Sequence, residues 1–346
     1  MTEPIGIAVI GTGYWGPAIV RNLAGIAGAR LLHLVDIDRS RVQAVGARLA
    51  PGVPAHSDHE RMLRDPAVKA VCIATPVRTH FKLAKAALEA DKHVFVEKPL
   101  AMTVMDCRKL EAIAAARSRV LMVGHIFRFN AAVQKVKDYI DDGTLGDVLY
   151  VHTRRVNLGR VQADVNALWS FAPHDFSVLN HWFGALPETV QARGFSYISA
   201  GVEDVVFVTV TYPGNKNAHL HLGWLDPRKV REMTVVGNRR MVVFDDVANQ
   251  AKIRLYDSTI TPMGTPPESF AEWQVDIRHG DVTLPRLRWT EPLRAELEHF
   301  LQCARGEAQC LVPGADGTAV TGAIVAAQES LRRGGDVIHM SEILGD

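Results

Sequence analysis

Ile5-Gly6-Ile7-Ala8-Val9-Ile10-Gly11-Thr12-Gly13-Tyr14-Trp15-Gly16 is the stretch that decides the fold of this chain. An apolar run from Ile5 to Ile10 drives into a glycine turn, and Pro17, Ala18, Ile19, Leu23 and Ile26 continue on a helical stripe. Gly11 lets the chain reverse, Gly13 lets backbone N–H groups approach a pyrophosphate, and Gly16 lets the helix pack close against the strand. The helix N-terminus then offers unpaired N–H groups and the positive end of its dipole. Twenty residues after Gly16, a second apolar strand (Leu31, Leu32, Leu34, Val35) ends at Asp36, where a carboxylate accepts hydrogen bonds from an adenosine ribose. A lone G-x-G-x-x-G is often only a glycine turn. Strand, helix and acid together predict a dinucleotide site. Asp36 predicts NAD with NADP disfavoured, because a carboxylate repels a 2′-phosphate. Arg39 and Arg41, just downstream, are the residues that could offset that repulsion.

At 346 residues the chain suits two domains. Apolar content of 47% and charged content of 22% are those of a globular protein. A net charge of +1 gives no reason to expect nucleic acid or an anionic membrane as partner. No apolar run approaches the roughly 20 residues of a membrane span. Met1-Thr2-Glu3-Pro4 lacks the basic start and apolar block of a signal peptide, so a cytoplasmic location is expected. Cys72, Cys107, Cys303 and Cys310 show no C-x-x-C spacing and are too sparse for a disulfide framework. Cys72 lies in an apolar strand and reads as a buried thiol.

Strand patterns at 5–10, 31–36, 68–74, 93–97 and 120–124 alternate with helix patterns at 15–26, 38–49, 78–90 and 103–117. That alternation predicts an α/β fold with a doubly wound parallel sheet over residues 1–124. After Gly124 the grammar changes. Residues 125–346 form the second expected domain, with helices at 129–141 and from about 173 to 183, the latter stopped by Gly184. Period-two strands are expected at 147–156, 189–197, 204–212, 217–225, 233–244 and 251–257. In 204–212, Val206, Val208, Val210 and Tyr212 share one face, leaving the other to solvent or a subunit. Residues 258–287 read mostly as loop with a strand near 272–278, and helices at 291–305 and 316–333 close the chain.

His93-Val94-Phe95-Val96-Glu97-Lys98-Pro99-Leu100 ends the fourth expected strand. In an open α/β sheet ligands bind beyond the carboxyl ends of the strands, which puts Lys98 near a bound nicotinamide. Pro99 biases Lys98 towards an extended conformation. An ammonium there can stabilise charge developing on a carbinol oxygen. A solvated, idle Glu–Lys pair is the plain alternative. In Asn166-Ala167-Leu168-Trp169-Ser170-Phe171-Ala172-Pro173-His174-Asp175, Pro173 suits a helix start and places His174 in its first turn. Imidazole is the side chain suited to take a carbinol proton near neutral pH, although a structural histidine fits the same pattern. Arg154, Arg155, Asn157 and Arg160 end a strand, and at most one of the two adjacent arginines can face a ligand. His219 and His221 share a strand face; no third ligand accompanies them, so no metal is expected.

Gly11-Thr12-Gly13-Tyr14-Trp15-Gly16, Ala74-Thr75-Pro76 with His80, Glu97-Lys98-Pro99-Leu100, and Gly124 with Arg128-Phe129 together resemble the Gfo/Idh/MocA oxidoreductase family. The resemblance extends to Asp316-Gly317 and the closing helix. It implies an N-terminal Rossmann domain, a C-terminal α/β domain on a large, mostly antiparallel open sheet, and NAD(P) as cofactor. By the same resemblance Gly11, Thr12, Gly13, Tyr14, Trp15, Gly16, Asp36, Thr75, Pro76, His80, Glu97 and Lys98 line the cofactor. Lys98 and His174 take catalytic positions; Lys98, Arg128, Asn157, Ser170 and His174 bind substrate. The family often shows Asp-x-x-x-His where this chain has Ser170 and His174, so the carboxylate that would stabilise an imidazolium is missing. The segment from Val156 to Gly184 looks most like members acting on nucleotide-linked sugars. The implied protein is an NAD-dependent dehydrogenase of a sugar ring carbinol, forming a homo-oligomer (dimer or tetramer). A dehydrogenase of free polyols, such as an inositol, and a nucleotide-binding regulatory protein without turnover are the alternatives.

Overall fold

Strand β1 (Ile5–Ile10) is buried along its whole length and pairs in parallel with β2 (Ala29–Val35) on one side and β4 (Ala70–Ile73) on the other. In this computed structural model residues 3–159, 161, 165–262 and 275–345 are described. Along the chain β1 is followed by α1 (Gly16–Ala24), β2, α2 (Arg39–Leu49), β3 (Ala55–His56), α3 (His59–Arg64), β4, α4 (His80–Glu89), β5 (His93–Glu97), α5 (Val104–Ala116) and β6 (Leu121–Gly124). The strands stand in the order β3-β2-β1-β4-β5-β6, all parallel, with the order reversing beside β1. Ligands bind at such a reversal in doubly wound sheets. Alternate residues of each strand feed opposite layers. Ala8, Ile10, Val71, Ile73, Val94 and Val96 pack with Ala84, Leu88 and Leu110 of α4 and α5. Ile7, Val9, Cys72 and Phe95 pack with Ile19 and Leu23 of α1 and Val42 of α2. Cys72 is fully buried, as expected.

The following elements are α6 (Ala131–Asp141), β7 (Val148–Leu158), α7 (Ala167–Phe183), β8 (Thr189–Phe195), β9 (Val205–Tyr212), β10 (Lys216–Gly223), β11 (Leu225–Gly237), β12 (Met241–Asp245), β13 (Ile253–Pro262) and β14 (Val275–Thr283). The chain closes with α8 (Pro292–Ala304), α9 (Gly314–Arg332), β15 (Ile338–His339) and α10 (Met340–Leu344). The second sheet runs β14-β13-β12-β11-β7-β10-β9-β8-β15. All its pairings are antiparallel except β10 with β7. Helix α7 covers one face of it, over the buried row Val206, Val208, Val210 and Tyr212 of β9; Phe207 and Thr209 point the other way and are exposed. Among the described residues no helix is long and apolar enough to cross a membrane.

Four expectations are corrected. Helix α7 begins at Ala167, not near Pro173, because the Asn166 side chain accepts a hydrogen bond from Trp169 N (3.2 Å) and caps it. Pro173 therefore lies inside the helix, where it removes one backbone donor. The expected strand 233–244 is two strands, reversed within 238–240; Gly237 permits the turn, since a Cβ there would lie 2.2 Å from Leu145 O. The expected loop 258–287 holds the end of β13 and all of β14, and the part of the expected strand 272–278 before 275 lies outside the described residues, as does Arg160. Finally, the compact units are Met1–Phe129 with Thr290–Gly322, and Asn130–Trp289 with Ala323–Asp346, where a single cut between 124 and 125 was expected. The chain returns to the first unit because α8 is a second cover for its sheet: Leu293, Leu297, Phe300 and Leu301 join the layer around Phe95, with the Phe95 and Phe300 rings 5.8 Å apart.

Helix α8 also carries a buried acid. Glu296 lies on the same stripe as Leu293, Leu297 and Phe300, is fully buried, and neither carboxyl oxygen has a hydrogen-bond partner among the described residues. Burial, with the charge of Glu97 adding to it, pushes its pKa well above the ordinary carboxylate value of 4.5. Above that ordinary value the unfolded chain loses this proton and the folded chain keeps it, so stability falls as pH rises. Glu296→Gln is neutral at every pH. It should melt above the parent by a margin that widens from pH ~5 to pH ~8, by up to about 1.4 kcal/mol per unit. Calorimetric melts at the two pH values check this, and an unchanged margin would remove the buried-acid account.

Candidate active site

The glycine turn after β1 is built by exclusion. Gly11 has φ +96°, and a Cβ there would come within 2.5 Å of Ala74 O. A Cβ on Gly16 would lie 2.0 Å from Gly11 O, so only glycine lets α1 begin this close to the strand. At Gly13 a Cβ would meet nothing within 4 Å. The bare backbone there serves no packing inside the chain, which fits an approach from outside. Helix α1 starts without a side-chain cap at Trp15 and without an acid in its first turn, so its N–H groups and dipole carry no internal counter-charge. Asp36, 6% exposed, stands at the end of β2. Its Oδ2 accepts from Thr12 N (2.7 Å) and Thr12 Oγ1 (2.8 Å), and its Oδ1 from Asp38 N (2.9 Å). The carboxylate is thus oriented by the turn it helps to shape. Arg41 bonds Asp38 at 2.9 Å and lies 3.9 Å from Asp36, so its guanidinium is already shared between two acids. Tyr14 (86% exposed) and Ile37 (96%) flank the turn as exposed apolar surface. Ile37 was missed in the sequence; the signal was an isoleucine immediately after Asp36. These groups fit a dinucleotide: donors and positive dipole for the phosphates, an acid for the ribose, apolar surface for a base.

Lys98 follows β5 directly, and the Lys98–Pro99 peptide is cis. His80 braces this turn: Nδ1 contacts Pro99 O and Nε2 contacts Thr75 O, both at 2.8 Å, with the ring 1% exposed. It therefore ties the turn after β4, with Thr75 and Pro76, to the turn carrying Lys98. Burial lowers its pKa, opposed by the two carbonyl contacts. Thr75 Oγ1 accepts from Thr79 Oγ1 (2.7 Å). Glu97 is opposed on β6 by Gly124, where a Cβ would lie 3.3 Å from its carboxyl carbon, so the glycine makes room for the acid. Burial pushes Glu97 up to about 7, against the pull of Lys98. Next to Gly124 is His125, 1% exposed, with neither ring nitrogen hydrogen-bonded among the described residues; burial pushes it down to about 3, Arg128 and Lys98 adding smaller contributions. Sequence reasoning passed over both His125 and Glu296; the latter was visible as an acid on an otherwise apolar stripe. Arg128 pairs with Asp316 (2.8 Å) and donates to Leu311 O (3.3 Å). In the first unit, then, the predicted residues from Gly11 to Gly16, Asp36, Thr75, Pro76, His80, Glu97, Lys98 and Arg128 stand beyond the carboxyl ends of β1, β2, β4, β5 and β6.

The remaining predicted residues belong to the second unit. Ser170 and His174 lie one turn apart on α7, on the same face, with His174 in the second turn of the helix and not the first. Asp175 turns away from them: it is 1% exposed and holds Arg155 through Oδ1 and Oδ2, at 2.8–3.2 Å. Arg155 is thereby committed to the core, and Arg154 pairs with Asp226 at 2.6 Å. Asn157 sits near the end of β7, half-buried beside Gly159. His219 and His221 stand on the uncovered face of the sheet, stacked with Phe207 at 6.4 and 4.6 Å between ring centroids.

Known proteins resemble this chain in sequence and in fold. The family model described as an oxidoreductase family with an NAD-binding Rossmann fold matches residues 5–125, and that of the GFO/IDH/MocA C-terminal domain matches residues 133–243. Inositol 2-dehydrogenase 1 of Saccharopolyspora erythraea is 36% identical over 186 residues, which is 51% of this chain and 53% of that protein. The chain spans about half the length of such curated relatives. Among solved structures, UDP-N-acetylglucosamine 3-dehydrogenase of Acidithiobacillus ferrooxidans superposes with a TM-score of 0.79 at 24% identity, covering 96% of this chain and 99% of that one. GenD2 from gentamicin A biosynthesis, solved in complex with NAD, gives 0.81 at 22% identity, covering 98% and 97%. At these identities the two structures speak for the fold. The two family models together with the doubly wound and antiparallel sheets show that this chain belongs to the GFO/IDH/MocA oxidoreductase family.

Proposed function

We propose that the protein is an NAD-dependent dehydrogenase acting on a ring carbinol of a sugar, of the nucleotide-linked class. The observation that carries this reading is the gathering, on one side of a single sheet, of an uncapped helix N-terminus, the open Gly13 backbone, the Asp36 carboxylate and Lys98. The uncharged turn, Asp36 and Ile37 would hold the dinucleotide. When bound, nicotinamide supplies the two-electron acceptor. Lys98 steadies the substrate oxygen through its ammonium group, and His174 takes the hydroxyl proton on an imidazole nitrogen. His80 holds the Lys98 turn in place. The nucleotide-sugar assignment rests on the 156–184 segment; the inositol dehydrogenase relative favours a free polyol as the second reading.

Lys98→Ala should keep NAD affinity and lose turnover by about a hundred- to a thousandfold. His174→Ala should do the same by about a hundred- to ten-thousandfold. Stopped-flow detection of NADH with nucleotide-sugars and with free polyols reads both variants and distinguishes the two substrate classes; full activity in either variant would overturn its role. Ser170→Asp restores a carboxylate one turn from His174 and should move the acid limb of the pH–rate profile upward.

Cofactor choice follows from Asp36. Its carboxylate is fixed by three protein donors, and Arg41 is engaged by Asp38, so a 2′-phosphate meets a negative group with no uncommitted arginine in compensation from position 41. Calorimetric titration should find NAD binding more tightly than NADP; the reverse order would refute the assignment. The uncovered face of the second sheet, with Phe207 and Tyr150 among its exposed side chains, supports a homo-oligomer. Light scattering should show a particle at least twice 38.0 kDa, and a monomer at micromolar concentration would exclude it.

A further inference from the structure

His299 and Cys303 occupy positions i and i+4 of α8 and so share a face. Cys310 returns to that face after the chain reverses at Gly306, whose φ is +73°. Cys303 Sγ lies 3.3 Å from His299 Nε2, and one ligating atom from each of the three residues falls within 4.8 Å of the other two. Metal–sulfur and metal–nitrogen bonds of about 2.3 and 2.0–2.1 Å in a tetrahedral zinc site place N and S ligands about 3.5 Å apart and two sulfurs about 3.8 Å apart. The His299–Cys303 separation is close to that of such a site, and the remaining separations, within 4.8 Å, leave about an ångström or less to close.

We propose that His299, Cys303 and Cys310 bind one thiophilic divalent cation of the zinc class, with the fourth tetrahedral position open to solvent. Two thiolates and an imidazole are the donor set that this class selects over magnesium or calcium. Cys303 is buried, whereas His299 and Cys310 are partly exposed, so the cluster has a protected floor and an accessible mouth. Leu311 N donates to His299 Nε2 at 3.0 Å and yields this acceptor when the nitrogen turns to a cation. Each ligating thiol releases its proton to solvent on binding. Cys310 lies on the segment joining α8 to α9, which also carries Val312; Val312 O accepts from Val123 N of β6 (3.0 Å), and Leu311 O accepts from Arg128. A cation would therefore cross-link the end of α8 to the stretch that lies against β6. The H-x₃-C-x₆-C order lacks the C-x-x-C spacing of common zinc motifs, and, with only His219 and His221 weighed as ligands, no metal was expected from the sequence.

The test uses the full chain, reduced and stripped with a chelator, then titrated with zinc against a chromophoric competitor and separately with cobalt. One equivalent of each per chain is expected, with a near-ultraviolet thiolate-to-cobalt band. Cys310→Ser, at a partly exposed position, should weaken zinc binding at least tenfold and reduce the band by about half. His299→Gln should weaken binding while leaving the band's two-thiolate intensity. Circular dichroism and NAD affinity should be unchanged in both, which separates ligand loss from unfolding. Zinc uptake by the reduced parent no greater than by a Cys303→Ser/Cys310→Ser double variant would overturn the proposal. So would a parent whose two thiols only oxidise to a disulfide and that takes up no zinc when reduced.

Discussion

The space that a Cβ on Gly16 would fill is taken by the carbonyl of Gly11. That single steric fact sets how near α1 lies to β1, and therefore where its N-terminal amides point. Everything on the cofactor side hangs from it. With α1 drawn in, Thr12 is close enough for its amide and hydroxyl to clasp Asp36, which fixes the end of β2 relative to the turn. A larger side chain at position 16 would have to push the helix outward and would break two charge-assisted hydrogen bonds as well as a packing contact. Geometry and electrostatics are here the same constraint.

Much of the first unit was legible because parallel strands buried on both faces read as continuous apolar runs. β1 and β5 fall at 5–10 and 93–97, as their patterns indicated, and the glycine turn carried its own mechanism. β3 and α3 were not visible, since a two-residue strand and a six-residue helix hold too few positions to show a period. The second unit was harder. Proline at 173 is a helix-start signal in isolation, yet the Asn166 cap and a heavily buried helix outweigh the lost backbone donor. In 233–244 the alternation of apolar residues runs on across the reversal at 238–240, so two antiparallel strands imitate one.

At the candidate site, the residues of the local motifs gather at the carboxyl ends of the first sheet, whereas the arginines of β7 are engaged by acids of their own unit. At most one of Arg154 and Arg155 was expected to face a ligand; Asp175, twenty positions on, makes Arg155 a buried ion pair, and Asp226 engages Arg154. Glu97 and Glu296 come from distant parts of the chain, and the upward push of the Glu97 charge on the pKa of Glu296 is a property of packing that no window of sequence contains. Ser170 in the place of an acid was legible only through the resemblance to the family's Asp-x-x-x-His pattern, while the i−4 spacing itself places it one helical turn from His174.

The return of residues 290–322 to the first unit has a consequence for how the chain is made. Its nucleotide-side sheet lacks α8, and with it the Phe95–Phe300 contact, until synthesis has passed the whole of 130–289. At 5–20 residues per second those 160 residues take roughly 8–32 s. For that interval the layer around Phe95 in a nascent chain has only the cover of α1 and α2 and lacks that of Leu293, Leu297, Phe300 and Leu301.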